Sequence, residues 1–273
     1  METKKLGGMA VEVPVIGLGT WKYEGGAAVL RKGVQQGASL IDTAEFYGTE
    51  GTVGQSIKDD RNHVFIATKV SGNHLRYEDV IAACHRSLAR LGTDFIDLYQ
   101  IHWPDPSVPL SETMAAMEYL VDSGMVRFIG VSNFTLGELE KAQASMKKYR
   151  IVSNQLKYSL LYRGIEDELL PYCQENEITV IAYSPLARGD LLSRSTFRDI
   201  QSADILRKVA LDVGKSQAQV ALNWCISKVN TIAIPKANSM AHVEENCGAA
   251  GWRLGPDQVA ALDQAFDNGD TSK

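Results

Sequence analysis

The chain has 273 residues, 45% of them hydrophobic and 22% charged, and its 28 basic and 33 acidic residues leave a net charge of −5. With no basic block, neither a nucleic-acid partner nor an anionic membrane surface is expected, and no apolar run approaches the ~20 residues of a membrane span. Cys84, Cys173, Cys225 and Cys247 form no CxxC pair, no HxxxH or HExxH occurs, and METKKLGGMAVEV is no signal peptide, so reduced thiols, no metal and a cytoplasmic location are expected.

In chain order, TKKLGGMAVEV reads first, as a hairpin around Gly7-Gly8, too short to join a main sheet and suited to lid one end of it. Eight apolar runs rich in Ile, Val and Phe follow: 13–19, 39–42, 63–69, 95–102, 126–132, 151–155, 178–184 and 230–236. Their continuous rather than alternating polarity predicts buried parallel strands. Amphipathic stretches separate them. Residues 26–37 put Val29, Leu30, Gly33 and Val34 on one face, glycines after Tyr47 lead into a further helix, and 77–91 repeat Val80, Ile81, Cys84, Leu88 and Leu91 at helical spacing. Ser111 is expected to cap a helix ending at Gly124, and Thr135 with Glu138 forms a capping box. Helices are expected over 165–176, over 201–213 and 216–228 with a break at Gly214, over 239–248, and from Pro256 to Phe266. Eight βα units without a linker predict an α/β fold, a (β/α)8 TIM barrel as one domain over 1–273, with the hairpin at one end and an extra C-terminal helix.

A doubly wound nucleotide-binding sheet is the rival. VIGLGTWKYEGG follows a strand and holds Gly17 and Gly19, and Asp42 lies where a ribose-binding acid could sit. The third glycine of that fingerprint is replaced by Lys22, which cannot allow the close helix–strand packing required there.

Barrel enzymes gather their chemistry where strands end. Those positions hold Asp42, with Tyr47 a short loop later, then Lys69, His102, Ser132 with Asn133, Asn154 with Gln155, Tyr183 with Ser184, and Lys236. Buried polar groups cost free energy unless paired, so such a collection implies a task. A tyrosine holds its proton firmly near pKa 10. The Lys69 ammonium is expected to lower that value, with Asp42 holding the lysine charged. Tyr47 could then give a proton to a developing alkoxide, a contribution of roughly 10²–10⁴-fold. Neutral His102 could bond the same oxygen. A hydrolase or aldolase would need paired acids or a Schiff-base lysine, for which only Lys69 offers itself.

These residues carry a resemblance. The chain resembles the aldo-keto reductases along essentially its whole length, through DTAEFYG, GTEGTVG, IATKV, QIHWPD, GVSNF, SNQ, AYSPL and IPKANSMAHVEEN. The resemblance implies a barrel binding NADP(H) across its C-terminal mouth, with Tyr47 as acid/base, Asp42 and Lys69 tuning it and His102 orienting a carbonyl. It further implies that Ser132, Asn133 and Gln155 bind the carboxamide and that Tyr183 stacks on the nicotinamide. Gly19, Thr20 and Trp21 would lie by its ribose, Ser184, Pro185, Leu186 and Gly189 along the pyrophosphate, and Lys236, Ala237 and Asn238 at the 2′-phosphate. Glu245 and Asn246 would meet the adenine. The pocket implied for a small carbonyl or alcohol is walled by Trp21, Tyr47, His102 and Trp103, open for want of long loops and a long tail, and the protein is expected to be a monomer. His242 stands where many members carry an arginine, and Ala237 where a serine or threonine is common, which brings NAD(H) into play beside NADP(H). Oxidation of a sugar or polyol would use the same residues, and a non-catalytic cofactor-sensing barrel is the remaining alternative.

Overall fold

The computed structural model describes residues 1–192 and 200–267. The hairpin comes first: β1 (Thr3–Lys5) pairs antiparallel with β2 (Glu12–Pro14), Thr3 opposite Pro14. Gly7 and Gly8 turn it, with φ of +54° and +69°. A Cβ on Gly7 would stand 2.5 Å from the Cβ of Val152, so only glycine lets the turn lie this close to the barrel. Leu6 and Val13, fully buried, pack with Leu40, Phe65, Leu98, Val152, Ile181 and Ile232 and plug the end where the strands begin. The Lys4 ammonium donates to the carbonyls of Ile226, Lys228 and Thr231 at 2.6, 2.8 and 2.9 Å. Burial, then Arg253, pushes its pKa down to about 8.

Eight parallel strands follow in chain order around the sheet: β3 (Leu18–Gly19), β4 (Leu40–Asp42), β5 (Phe65–Val70), β6 (Ile96–Ile101), β7 (Val126–Ser132), β8 (Ile151–Lys157), β9 (Thr179–Tyr183) and β10 (Thr231–Ala233). The two edges meet. Ile16 bridges Ala233 in parallel, and the N–H groups of Gly17 and Gly19 donate to Ala233 and Pro235 at 2.8 and 3.1 Å. The expected strand 13–19 therefore divides. Its first residues belong to the hairpin, Pro14 has no N–H to extend a ladder, and only Leu18–Gly19 pair regularly within the barrel.

Helices α1 (Gly26–Gln35), α2 (Glu50–Ile57), α3 (Tyr77–Leu91), α4 (Leu110–Asp122), α5 (Leu136–Ser145) and α6 (Leu169–Glu175) each follow one strand. After β9 come α7 (Ile200–Val213) and α8 (Gln217–Ser227), parted at Gly214, where φ is +64°. It is α8 that packs on β10, while α7 packs on α8 and on the final helix, α10 (Pro256–Ala265); α9 (Met240–Cys247) follows β10. The Thr135–Glu138 capping box forms at α5. Ser111 does not cap α4, which starts one residue earlier behind Pro109 with no side-chain cap; proline's fixed φ, here −57°, suits a helix entry. Apolar residues fill the barrel interior and, in a larger cluster, the layer between strands and helices. Among the described residues no helix is long and apolar enough to cross a membrane.

Candidate active site

Parallel register sets Gly19 beside Asp42, Asp42 beside Ala67, and Lys69 beside Gln100, bringing the polar strand ends together at one mouth of the barrel. Lys69 has no exposed surface. Its ammonium donates to both oxygens of Asp42 at 2.7 and 3.0 Å, to the Thr43 carbonyl at 2.8 Å and to the Tyr47 hydroxyl at 3.4 Å. Asp42 also accepts from the Gln155 amide at 2.7 Å and, at 3.5 Å, from Gln100. Tyr47 ends a single 3-10 turn, Glu45–Tyr47, released by Gly48 at φ +70°. Its hydroxyl lies 3.5 Å from His102 Nε2, with the two rings edge to face.

The charges divide sharply. Burial works against the Lys69 ammonium, but Asp42 and then Tyr47 favour it, and its pKa moves up from 10.5. Burial pushes the Tyr47 phenol above its ordinary 10.0; Lys69 pulls the other way without prevailing, so the expected lowering does not occur and the phenol keeps its proton. Burial, then the nearby Lys69 charge, drives His102 down to about 3, so its ring is neutral. His102 Nδ1 is buried with no protein partner. Because an orphan acceptor is better tolerated than an orphan N–H, the neutral ring is assigned its proton on Nε2, facing Tyr47.

The groups sequence reasoning selected mostly line one continuous cleft of about 730 Å³. Its walls include Gly19, Thr20, Trp21, Asp42, Tyr47, His102, Trp103, Ser132, Asn133, Gln155, Tyr183, Ser184, Pro185, Leu186, Gly189, Lys236, His242, Glu245 and Asn246. Ala237 and Asn238 stand outside these walls; Ala237 is buried, and the Asn238 side-chain oxygen accepts from the Glu24 N–H at 3.2 Å. Asn154 is buried behind the cleft and donates to the Phe134 carbonyl at 3.0 Å. Asn133, left-handed at φ +61°, donates to the His102 carbonyl at 3.0 Å and accepts from the Tyr183 hydroxyl at 2.8 Å. Ser132 Oγ donates to the Gln155 carbonyl at 3.0 Å. The Trp103 indole stacks on the His102 ring at 3.6 Å between centroids.

Other wall residues escaped sequence reasoning. Lys22 and Arg188 both lie over the Trp21 indole, at 4.7 and 4.9 Å, and the Lys236 ammonium donates to the Lys22 carbonyl at 3.1 Å. Gln100, Thr43 and Thr49 support the Asp42–Lys69 pair from behind. Gln100 had a signal, since it lies two residues before His102 and so faces the same side of its strand; Arg188 had none, because a left-handed loop carries it. The expectation of an open pocket rests partly on residues 268–273, which lie outside the described residues.

Comparison with known proteins identifies the family and the fold. The model of the Aldo/keto reductase family matches residues 15–267. Methylglyoxal reductase YeaE of Escherichia coli is 38% identical over 266 residues, 94% of this chain and 92% of that protein. The thermostable aldo-keto reductase Tm1743, solved with the inhibitor epalrestat, superposes with a TM-score of 0.91 at 39% identity, over 97% of this chain and 100% of that one. An aldo/keto reductase from Klebsiella pneumoniae, solved with NADP and acetate, gives 0.88 at 39% identity, over 97% and 95%. With the family model matching nearly the whole chain, the chain belongs to the aldo/keto reductase family.

Proposed function

We propose that the protein is an NADP(H)-dependent carbonyl reductase, a single barrel domain acting as a cytoplasmic monomer, in which Tyr47 donates the proton. The observation that carries this is the Tyr47 hydroxyl, 3.4 Å from the Lys69 ammonium and 3.5 Å from His102 Nε2, on the wall of the cleft.

The residues present fit a nicotinamide dinucleotide. An amide-binding group, Ser132, Asn133 and Gln155, lines the same cleft as Lys22, Arg188, Lys236 and His242, none of which pairs with a carboxylate among the described residues. Ser132, Asn133 and Gln155 would hold its carboxamide, and Tyr183 its ring. Gly19, Thr20 and Trp21 would flank the ribose, with Ser184, Pro185, Leu186 and Gly189 along the diphosphate. Lys236 and His242 would face the 2′-phosphate, assisted by Ala237 and Asn238, and Glu245 and Asn246 the adenine. When bound, such a cofactor supplies the hydride.

The protein's own contribution is electrostatic and acid–base. The neutral His102 N–H and the Tyr47 O–H both donate toward the same point, where a carbonyl oxygen gains charge. Lys69 stays charged beside Tyr47 and stabilises the phenolate left after proton transfer. Trp21 and Trp103 wall the carbonyl's surroundings. The Escherichia coli relative is named a methylglyoxal reductase, which makes small 1,2-dicarbonyls the first substrates to try. Loss of NADPH absorbance with methylglyoxal and a panel of aldehydes, ketones and aldoses tests the reading. Turnover is expected; cofactor binding without turnover on any carbonyl would overturn it.

A further inference from the structure

Tyr47 stands at the limit of hydrogen-bond reach from both of its partners, 3.4 Å from Lys69 and 3.5 Å from His102. Its turn is short: the Tyr47 N–H donates to the Ala44 carbonyl at 3.0 Å, and Gly48 releases it. Something must hold this turn, because a displacement near 1 Å at a reacting group can lower a rate about 10²-fold.

Two carboxylates flank the tyrosine. Glu45 accepts from the Ser71 N–H, from His74 Nδ1 and from the Arg86 guanidinium, each at 3.1 Å. Glu50, almost fully buried, accepts from the Thr68 hydroxyl at 2.6 Å and from Arg90 Nε at 2.7 Å. The arrangement repeats on either side. Thr68 and Ser71 bracket Lys69 along the chain, and Arg86 and Arg90 lie one turn apart on α3, so they share a face. Glu50 thus ties the Tyr47 segment to the strand that carries Lys69, Glu45 ties it to the residue that follows that strand, and both tie it to the helix behind.

We propose that Glu45 and Glu50, anchored by Arg86 and Arg90, are positioning residues that set the Tyr47 hydroxyl against Lys69 and His102. Neither glutamate touches substrate; each acts through Tyr47. The proposal rests on Tyr47 being the proton donor.

The test is a double-mutant cycle read in single turnover, so that product release does not mask the chemical step. Glu45→Ala is expected to slow methylglyoxal reduction at least tenfold, with the dissociation constant for NADPH within twofold of wild type by fluorescence titration. Glu45→Gln keeps an acceptor for the Ser71 N–H and is expected to recover part of the loss. Arg86→Ala, at a half-exposed side chain, guards against a variant that fails to fold and is expected to shift the rate in the same direction. In a Tyr47→Phe background, Glu45→Ala is expected to add less than a twofold loss. An unchanged rate in Glu45→Ala, or the same fold-loss in both backgrounds, would overturn the proposal while leaving the reductase reading intact. A Tyr47→Phe variant as fast as wild type would remove that reading, and this proposal with it.

Discussion

Lys69 and Asp42 meet inside the barrel with the ammonium 2.7 and 3.0 Å from the two carboxylate oxygens, and neither side chain is more than a few per cent exposed. Removing one member of such a pair strands a charge. Asp42→Asn or Lys69→Met is therefore expected to destabilise the fold by about 3–5 kcal/mol. The double variant Asp42→Asn, Lys69→Met is expected to recover most of that stability while remaining inactive. Urea unfolding of the three variants, set beside their turnover, checks this; full additivity of the two single losses would contradict it.

The site predicts an unusual pH profile. His102 is held near 3 and Tyr47 above 10, so both keep their reductive protonation states across the neutral range. In the reductive direction kcat/KM is expected to be flat from about pH 6 to about pH 9 and to fall only where the phenol ionises. Alcohol oxidation needs the phenolate and is expected to rise with pH. An inflection near the ordinary histidine value of 6.5, abolished by changing His102, would contradict the assignment.

His242 lies in the first turn of α9, exposed, on the wall of the cleft that also holds Lys236. Arginine is always charged and can grip a phosphate through two parallel bonds, whereas histidine is partly charged at best at neutral pH. His242→Arg is expected to tighten NADPH about tenfold, near 1.4 kcal/mol, with little change for NADH. Fluorescence titration of both cofactors gives the answer, and equal tightening of the two would contradict a 2′-phosphate at this place.

Far from the cleft, one oxygen of Glu118 accepts the backbone N–H groups of Lys147, Lys148 and Tyr149 at 2.9, 2.6 and 3.1 Å. Burial opposes its charge, but these donors outweigh that, and its pKa falls below 4.5. A carboxylate depressed on folding stabilises the protein above its unfolded-state value and loses that contribution as pH falls through the folded one. Glu118→Gln is expected to cost about 1–2 kcal/mol at pH 7, and thermal melts should show the gap from wild type closing as the carboxylate protonates. A gap independent of pH would contradict this.

The sequence made the barrel legible because its signals are local: apolar runs, glycine stops and the Thr135 capping box each act within a few residues. The strand ends followed for the same reason, since Asp42, Lys69 and His102 directly close or follow apolar runs. What stayed hidden depends on partners distant in the chain. The split of 13–19 between hairpin and barrel is set by Thr3 on one side and Ala233 on the other. The direction of the Tyr47 shift depends on how much water the folded mouth excludes, which no spacing encodes. Arg188 reaches Trp21 through consecutive left-handed residues, Ala187 at φ +48° and Arg188 itself at φ +59°, a conformation a side-chain-bearing residue rarely announces.

The most direct test is a comparison of wild type with Tyr47→Phe, following NADPH consumption with methylglyoxal alongside NADPH binding. The account predicts turnover by the wild type, a loss of roughly 10²–10⁴-fold in the variant, and cofactor affinity unchanged within about twofold. Undiminished turnover in Tyr47→Phe would contradict it.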